Sequence, residues 1–344
     1  MNLEERIQSF IELGKVISSS IENIEDSGLL DIIERSKIKN NWFTRKNVLN
    51  SFSSIINMLE ESSIRLWINS YDLIDRSYEN NVLIVMAGNI PMVGFHDFLC
   101  VLITGNKAIL KLSKNDTILI PYLYELLCKI NKKFIGRVQF IEEIKRKNFE
   151  AVIATGSDNS FSYFEYYFRN SKKILRKNRT SISVLSGKEN KHELNLLGDD
   201  IFMYFGLGCR NVSKLFIPND FDLDILFDVF YRHKDIINNR KYANNYEYNK
   251  TIYLMGNHKV VENGFVILKE DKLINSPVSV LLYEYYNEIS LVKDYIHNNI
   301  DRIQCVVSNE SLGLKTVQFG RSQFPEIYDY ADDIDTINFL ESLI

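Results

Sequence analysis

Cysteine is scarce and scattered. Cys100, Cys128, Cys209 and Cys305 are the only four in 344 residues, and no two form a C-x-x-C pair. That spacing excludes a zinc ribbon and a disulfide scaffold. Five prolines and 15 glycines exclude collagen-like or Pro/Gly-rich disordered character. No apolar run approaches the roughly 18–20 residues of a membrane span; the longest, Pro91 to Ile103, is broken by His96 and Asp97. The opening MNLEERIQSF is acidic and lacks a signal peptide's apolar core, so a cytoplasmic protein is expected. Neither sign of charge dominates: 41 Lys+Arg against 45 Asp+Glu leave a net charge of −4, which argues against a nucleic-acid partner. The five histidines form no H-x-H or H-x-x-x-H pair, so no metal site is expected. The G-x-G-x-x-G fingerprint and the Walker A loop are both missing. Gly206-Leu-Gly208-Cys-Arg-Asn211 has the first two glycines only, and it follows a helical stretch rather than a strand.

What is present is an ordinary core-forming composition, 45% hydrophobic and 25% charged, on a chain long enough for two domains. The first 80 residues show the 3–4 residue apolar spacing of amphipathic helices, as in Ile7, Phe10, Ile11 and Gly14 and again over Val48 to Leu59. From residue 82 short apolar runs alternate with helical stretches. Strands are expected at 82–86, 108–112, 138–141 and 151–155, with helices over Met92–Leu102 and Asp116–Ile130. A second alternating region begins near Ser181, with strands at 181–185, 214–218, 251–255, 265–269, 278–283 and 303–307. Alternation of this kind predicts an α/β fold with mostly parallel sheets. The expected division is 1–180 (helical N-terminal region plus a dinucleotide-binding domain), 181–310 (a second α/β domain) and a C-terminal segment 311–344. That last segment is expected to return to the first domain or to an oligomer interface.

Loops at strand ends are where α/β folds keep their sites. Met86-Ala-Gly-Asn-Ile-Pro91 ends a strand with the Asn89 amide. Gly105-Asn-Lys-Ala-Ile-Leu-Lys-Leu-Ser113 exposes Lys111 and Ser113 at a strand end. Ala154-Thr-Gly-Ser-Asp158 places Gly156 and Ser157 before a helix N-terminus, which suits a phosphate or a cofactor ring. Cys209 differs from the other three cysteines, which lie in apolar runs. It is flanked by Gly208, Arg210 and Asn211, where backbone approach is easy and a nearby cation favours thiolate.

These four segments, in this order, resemble the aldehyde dehydrogenase superfamily and within it the LuxC-type acyl-CoA reductases. Phe202-x-x-x-Gly206-x-x-Cys209 is similar to the F-x-x-x-G-Q-x-C nucleophile motif, with Leu207 in place of Gln. Ala87-Gly-Asn-Ile-Pro91 resembles P-W-N-x-P, whose Asn amide serves the oxyanion hole. Gly105-Asn106 through Lys111-Leu-Ser113 resembles G-N-x-x-x-x-K-P-S, the adenine-ribose contact, and Thr155-Gly-Ser157 resembles the F-T-G-S turn beside the nicotinamide. Two departures stand out. Where hydrolytic relatives carry E-L-G-G-K, with a water-activating Glu, this chain has Val184-Leu-Ser-Gly-Lys188. Leu273-Ile-Asn-Ser-Pro277 is the nearest match to E-x-F-G-P and lacks its Glu.

The resemblance implies an aldehyde dehydrogenase-like fold of two α/β domains and reduction of fatty acyl-CoA to aldehyde. Cys209 would be the nucleophile and Asn89 an oxyanion donor, while Lys111, Ser113, Gly156 and Ser157 would hold the cofactor. NADPH is the expected reductant, with NADH the alternative, since Lys111, with Lys107 and Lys114 near it in sequence, suits a 2′-phosphate. It also implies a homo-oligomer and an acyl-transferring or acyl-activating protein partner. Two other chemistries stay open: an acyl-phosphate reductase of the same fold, and a non-redox acyl transferase. His96 and His233 are candidates for the base that deprotonates Cys209 by residue type only. Without a carboxylate at Val184 the thioester is expected to resist water, and Val184→Glu is expected to restore some hydrolysis.

Overall fold

A computed structural model describes residues 1–73, 79–144, 149–156 and 158–343. The chain divides into two compact units, Met1–Asn178 with Pro325–Ile344 and Arg179–Phe324. Residues 311–324 therefore belong to the second unit, and the remaining C-terminal residues to the first.

The first unit opens with four helices, α1 (Leu3–Glu22), α2 (Leu29–Lys39), α3 (Arg45–Met58) and α4 (Glu61–Ile68). Asn2 and Glu5 start α1 as a capping box: Glu5 N donates to Asn2 Oδ1 at 2.8 Å and Asn2 N to Glu5 Oε2 at 3.0 Å, satisfying two otherwise orphaned donors. Ile7, Phe10, Ile11 and Ile17 form its buried face. A Cβ on Gly14 would stand 2.9 Å from the Leu59 Cβ, so only glycine permits that approach. A five-stranded sheet follows, built from β1 (Asn81–Val85), β2 (Lys107–Lys111), β3 (Val138–Phe140), β4 (Ala151–Thr155) and β5 (Lys172–Arg176). The helices between them are α5 (Phe95–Ile103), α6 (Leu119–Ile130) and α7 (Asp158–Tyr167). Every pairing is parallel and the order is β3-β2-β1-β4-β5. The chain thus winds outward from β1 one way and resumes on its other side at β4, leaving a switch point between β1 and β4.

The second unit carries a six-stranded sheet. Its strands are β6 (Thr180–Val184), β7 (Val212–Pro218), β8 (Val260–Glu262), β9 (Ile267–Glu270), β10 (Val280–Tyr286) and β11 (Ile303–Val307). Helices α8 (Lys191–Phe202), α9 (Leu223–Phe230), α10 (Arg240–Met255) and α11 (Ile289–Asn298) lie between them, and α12 (Thr336–Glu341) closes the chain in the first unit. The order is β11-β6-β7-β10-β9-β8, parallel except for the β8–β9 pair. Residues 251–255, expected as a strand, are the last turn and a half of α10. Asn239 caps that helix by accepting from Lys241 N and Tyr242 N. The helix then buries Tyr242, Tyr246 and Asn249 at helical spacing, so a face set upstream overrides the apolar run TIYLM. Strand β5, whose five residues KKILR include three cations, and the three-residue β8 went unread in the sequence. Among the described residues no helix is long and apolar enough to cross a membrane.

Candidate active site

In the first unit the predicted residues gather at one edge. Asn89 follows β1, Lys111 ends β2, Ser113 lies two residues beyond it, and Gly156 follows β4. All four are therefore at the carboxyl edge of parallel neighbours around the switch point, where open α/β sheets bind ligands. Ser157 lies outside the described residues. The β1 and β2 loops are locked together: Met86 N donates to Lys111 O at 3.0 Å, and a Cβ on Gly88 would sit 2.5 Å from Ser113 Oγ. Met92, in the left-handed region at φ 55°, donates its N–H to the buried Asp116 carboxylate at 2.8 Å. Asn89 is exposed on this pinned loop.

The lysines separate. Lys111 is half-buried, and its Nζ reaches Leu112 O at 3.3 Å. Lys107 begins the same strand, about 13 Å away at 3.3 Å per residue, and pairs with Glu79 at 3.0 Å. Gly105 and Asn106 also stand at that far end. Gly105 is left-handed, at φ 85°, and the Asn106 carboxamide bonds Asn80 N and Thr104 Oγ1, so both build the turn into β2.

In the second unit Cys209 sits in a turn between α8 and β7. The helix ends in three successive left-handed residues, Tyr204, Phe205 and Gly206, with φ of 53°, 60° and 73°. For the two aromatics this conformation costs roughly 1–2 kcal/mol each. Asn211, buried, offsets that strain. Its Nδ2 faces the helix-end carbonyls of Asp200 (3.0 Å), Ile201 (3.3 Å) and Met203 (2.8 Å), and its Oδ1 accepts from Gly208 N at 2.8 Å. Ser181 on β6 donates to Cys209 O at 2.9 Å and contacts Cys305 Sγ at 2.9 Å. Arg210 turns toward Ser322 O at 3.4 Å. Ser322 N and Gly320 N in turn donate to Asp200, at 3.0 and 2.7 Å. Asn211, Ser181, Asp200 and Ser322 were missed in the sequence. Only the asparagine two residues after the motif cysteine was a local signal. An open cavity of about 340 Å³, its mouth included, borders this turn and is lined by Phe205, Gly206, Tyr242, Ser276 and Pro277. The 273–277 segment is thereby brought beside the cysteine motif.

Other expectations change. Val184 is wholly buried in an apolar cluster with Ile182, Phe216, Ile274 and Val306. A glutamate there would place an unpaired charge in the core, at a cost of several kcal/mol, so Val184→Glu is expected to unfold this unit rather than to restore hydrolysis. His96 is engaged in packing: its Nε2 bonds Ile327 O at 2.7 Å, and Trp67 and Tyr330 flank the ring. His233 stacks on Phe202 with centroids 4.9 Å apart and faces Asp199 at 3.6 Å. Cys305 lies close behind the Cys209 turn, sharing Ser181 Oγ with it, and burial pushes its thiol up to about 11. Among the described residues no cluster could hold a metal ion.

Two buried carboxyls bear on stability. Burial pushes Asp116 and Asp200 each up to about 6, against the lowering effect of the N–H groups they accept from. The folded state therefore binds these protons where the unfolded chain, with pKa near 3.8, has released them. Their contribution is greatest below about pH 4, falls as pH rises through 6, and stays low above it. Two pKa units correspond to about 3 kcal/mol for each group. Asp116→Asn is thus expected to gain about that much on wild type between pH 4 and 7. Urea unfolding at several pH values measures the difference, and a pH-independent one would contradict it.

Comparisons with known proteins bear on the fold and the family. Aldehyde dehydrogenase 21 of Physcomitrella patens, solved with the reaction product succinate, superposes with a TM-score of 0.64 at 13% identity, covering 92% of this chain and 79% of that one. Aldehyde dehydrogenase C of Pseudomonas syringae, solved as a mutant with NAD+ and octanal, gives 0.64 at 10% identity, with 90% and 73% covered. An NAD-dependent aldehyde dehydrogenase of Sinorhizobium meliloti gives 0.67 at 11%, with 90% and 70% covered. These likenesses establish the aldehyde dehydrogenase-like fold. A comparison with curated proteins found no match. The family described as acyl-CoA reductase (LuxC) matches residues 21–225, a stretch that holds Asn89, Lys111, Gly156, the whole Cys209 turn and β7. Spanning more than half of the chain, that match places this protein in the LuxC acyl-CoA reductase family, whose members are oxidoreductases acting on acyl groups.

Proposed function

We propose that the chain reduces fatty acyl-CoA to aldehyde through a thioester on Cys209, with a nicotinamide dinucleotide as hydride donor. The observation that carries this reading is the Cys209 turn itself. A half-buried cysteine stands in a strained loop whose backbone is held on both sides by buried polar groups. Its Sγ attacks the thioester carbonyl, a new C–S bond forms, and the CoA thiolate leaves. The Cys209 N–H is the oxyanion donor nearest the reacting atom, and the Asn89 carboxamide is assigned the second donor on its motif alone. Such donors are typically worth a few kcal/mol in the transition state.

The carboxyl edge of the first unit's sheet suits a dinucleotide. It lies at the switch point of a parallel sheet, where open α/β folds bind ligands, and its loops are tightly built: a Cβ on Gly88 would clash with Ser113, and one on Gly156 would meet Ser160 at 2.7 Å. A nicotinamide bound there would supply hydride to the thioester carbon, and the C–S bond to Cys209 would then break, releasing the aldehyde and regenerating the cysteine thiolate. Lys111 offers the cation for a 2′-phosphate as a point charge, and with Lys107 turned to the far end it acts without that neighbour. NADPH is expected to be preferred, and Lys111→Ala to weaken NADPH about ten-fold more than NADH, since a hydrogen bond to a charged group is worth about 1.5–3 kcal/mol. Equal losses in a binding titration would mean that the lysine reads only the ribose.

The reading is tested by intact-protein mass after mixing with acyl-CoA, with and without NADPH. An acyl adduct on Cys209 that NADPH discharges supports it. An adduct indifferent to NADPH points to acyl transfer, and one formed only from an acyl phosphate points to the other reductase chemistry.

A further inference from the structure

We infer that Asn211 is a positioning residue for the reaction: its carboxamide and backbone N–H set the peptide plane that presents the Cys209 N–H. This rests on the assignment of Cys209 as nucleophile. Asn211 N donates to Gly208 O at 3.0 Å, closing a four-residue turn with Cys209 in its second position. A trans peptide is planar, with C=O and N–H on opposite edges. Holding Gly208 O inside the turn therefore directs the Cys209 N–H the other way, out of it. The following peptide is pinned independently, by Ser181 Oγ on Cys209 O at 2.9 Å. The Asn211 side chain then ties the turn to the helix behind it. Oδ1 holds Gly208 N, while Nδ2 donates toward the carbonyls of Asp200, Ile201 and Met203 around the end of α8. One buried carboxamide thereby spans both sides of the left-handed segment 204–206 and fixes where Cys209 emerges.

Asparagine is specified by this pattern, because one face must accept and the other must donate. An aspartate in its place would keep the acceptor for Gly208 N and turn a carboxylate oxygen on three carbonyls. The Asn211→Asp variant is therefore expected to lose about 100-fold in the rate of Cys209 acylation by acyl-CoA, the scale of one misplaced oxyanion donor. KM should change little, and far-UV circular dichroism should match wild type. Alkylation of Cys209 by iodoacetamide, which develops no oxyanion, should fall less than acylation. Ser181→Ala, which removes the bond to Cys209 O along with the contact to Cys305 Sγ, is the milder second variant and is expected to lose about ten-fold in the same step.

The outcomes separate cleanly. If Cys209→Ala keeps its activity, the nucleophile assignment fails and this inference with it. If Cys209→Ala is inactive while folded Asn211→Asp acylates at the wild-type rate, the inference alone is overturned. Should Asn211→Asp not fold, the smaller change Asn211→Ser, which lacks the carboxamide, is measured instead, and an unchanged acylation-to-alkylation ratio sinks the proposal.

Discussion

Cys209→Ala is expected to lower aldehyde formation by about four to six orders of magnitude, the scale seen when a covalent nucleophile is removed. The fold should survive. The Cys209 side chain is only half-buried, and the bonds that hold its turn run through backbone atoms and through Asn211 and Ser181, which the substitution leaves in place. Cys100 and Cys305 cannot substitute for it. Burial raises both thiols above their ordinary range, so at neutral pH they stay protonated, and the thiolate is the nucleophilic form. The assay is NADPH-dependent aldehyde release from a long-chain acyl-CoA, with circular dichroism as the control. Residual activity above about 1% of wild type, far more than loss of a nucleophile permits, would falsify the assignment.

The second large effect concerns stability. Arg176, at the end of β5, pairs with Asp97 in the first turn of α5, and both side chains are more than nine-tenths buried. The Arg176 guanidinium also donates to Thr336 Oγ1 at 3.2 Å, which ties the start of α12 to the sheet. Removing one partner leaves the other charge buried without compensation, a loss of about 3–5 kcal/mol. Asp97→Ala should therefore shift the urea midpoint sharply downward. The double variant Asp97→Leu with Arg176→Met, apolar on both sides, should recover most of the loss, because the pair's own attraction is largely spent on its desolvation. A single variant as stable as wild type would show that the charge is hydrated, and a double variant no better than the single would show that packing, not charge, governs the site.

Local pattern made much of this protein legible before its structure. Apolar runs of strand length at 82–86, 108–112 and 151–155, separated by helical stretches, suffice for parallel α/β layers, because backbone hydrogen bonding and side-chain periodicity are properties of short segments. The Phe202 to Cys209 spacing and the Asn89, Lys111 and Gly156 loops were visible for the same reason: each is a contiguous motif at a strand or helix end. Local pattern failed at 251–255, where Asn239 and the buried Tyr242 and Tyr246 extend a helix through residues that read as a strand.

What only the tertiary structure decided is how those motifs are held. Asp116 on Met92, Gly88 against Ser113, Ser181 on Cys209 and Asp200 on Ser322 join residues roughly 25 to 120 positions apart in sequence. The burial of Val184 likewise follows from the packing of its strand neighbours Phe216 and Val306 and of Val292 and Ile296 on α11. Each depends on which distant backbone comes to lie within about 3 Å of a given polar atom. Periodicity and spacing carry no term for such contacts, because they form only once the loop-closure entropy between the segments has been met by the collapse of the core.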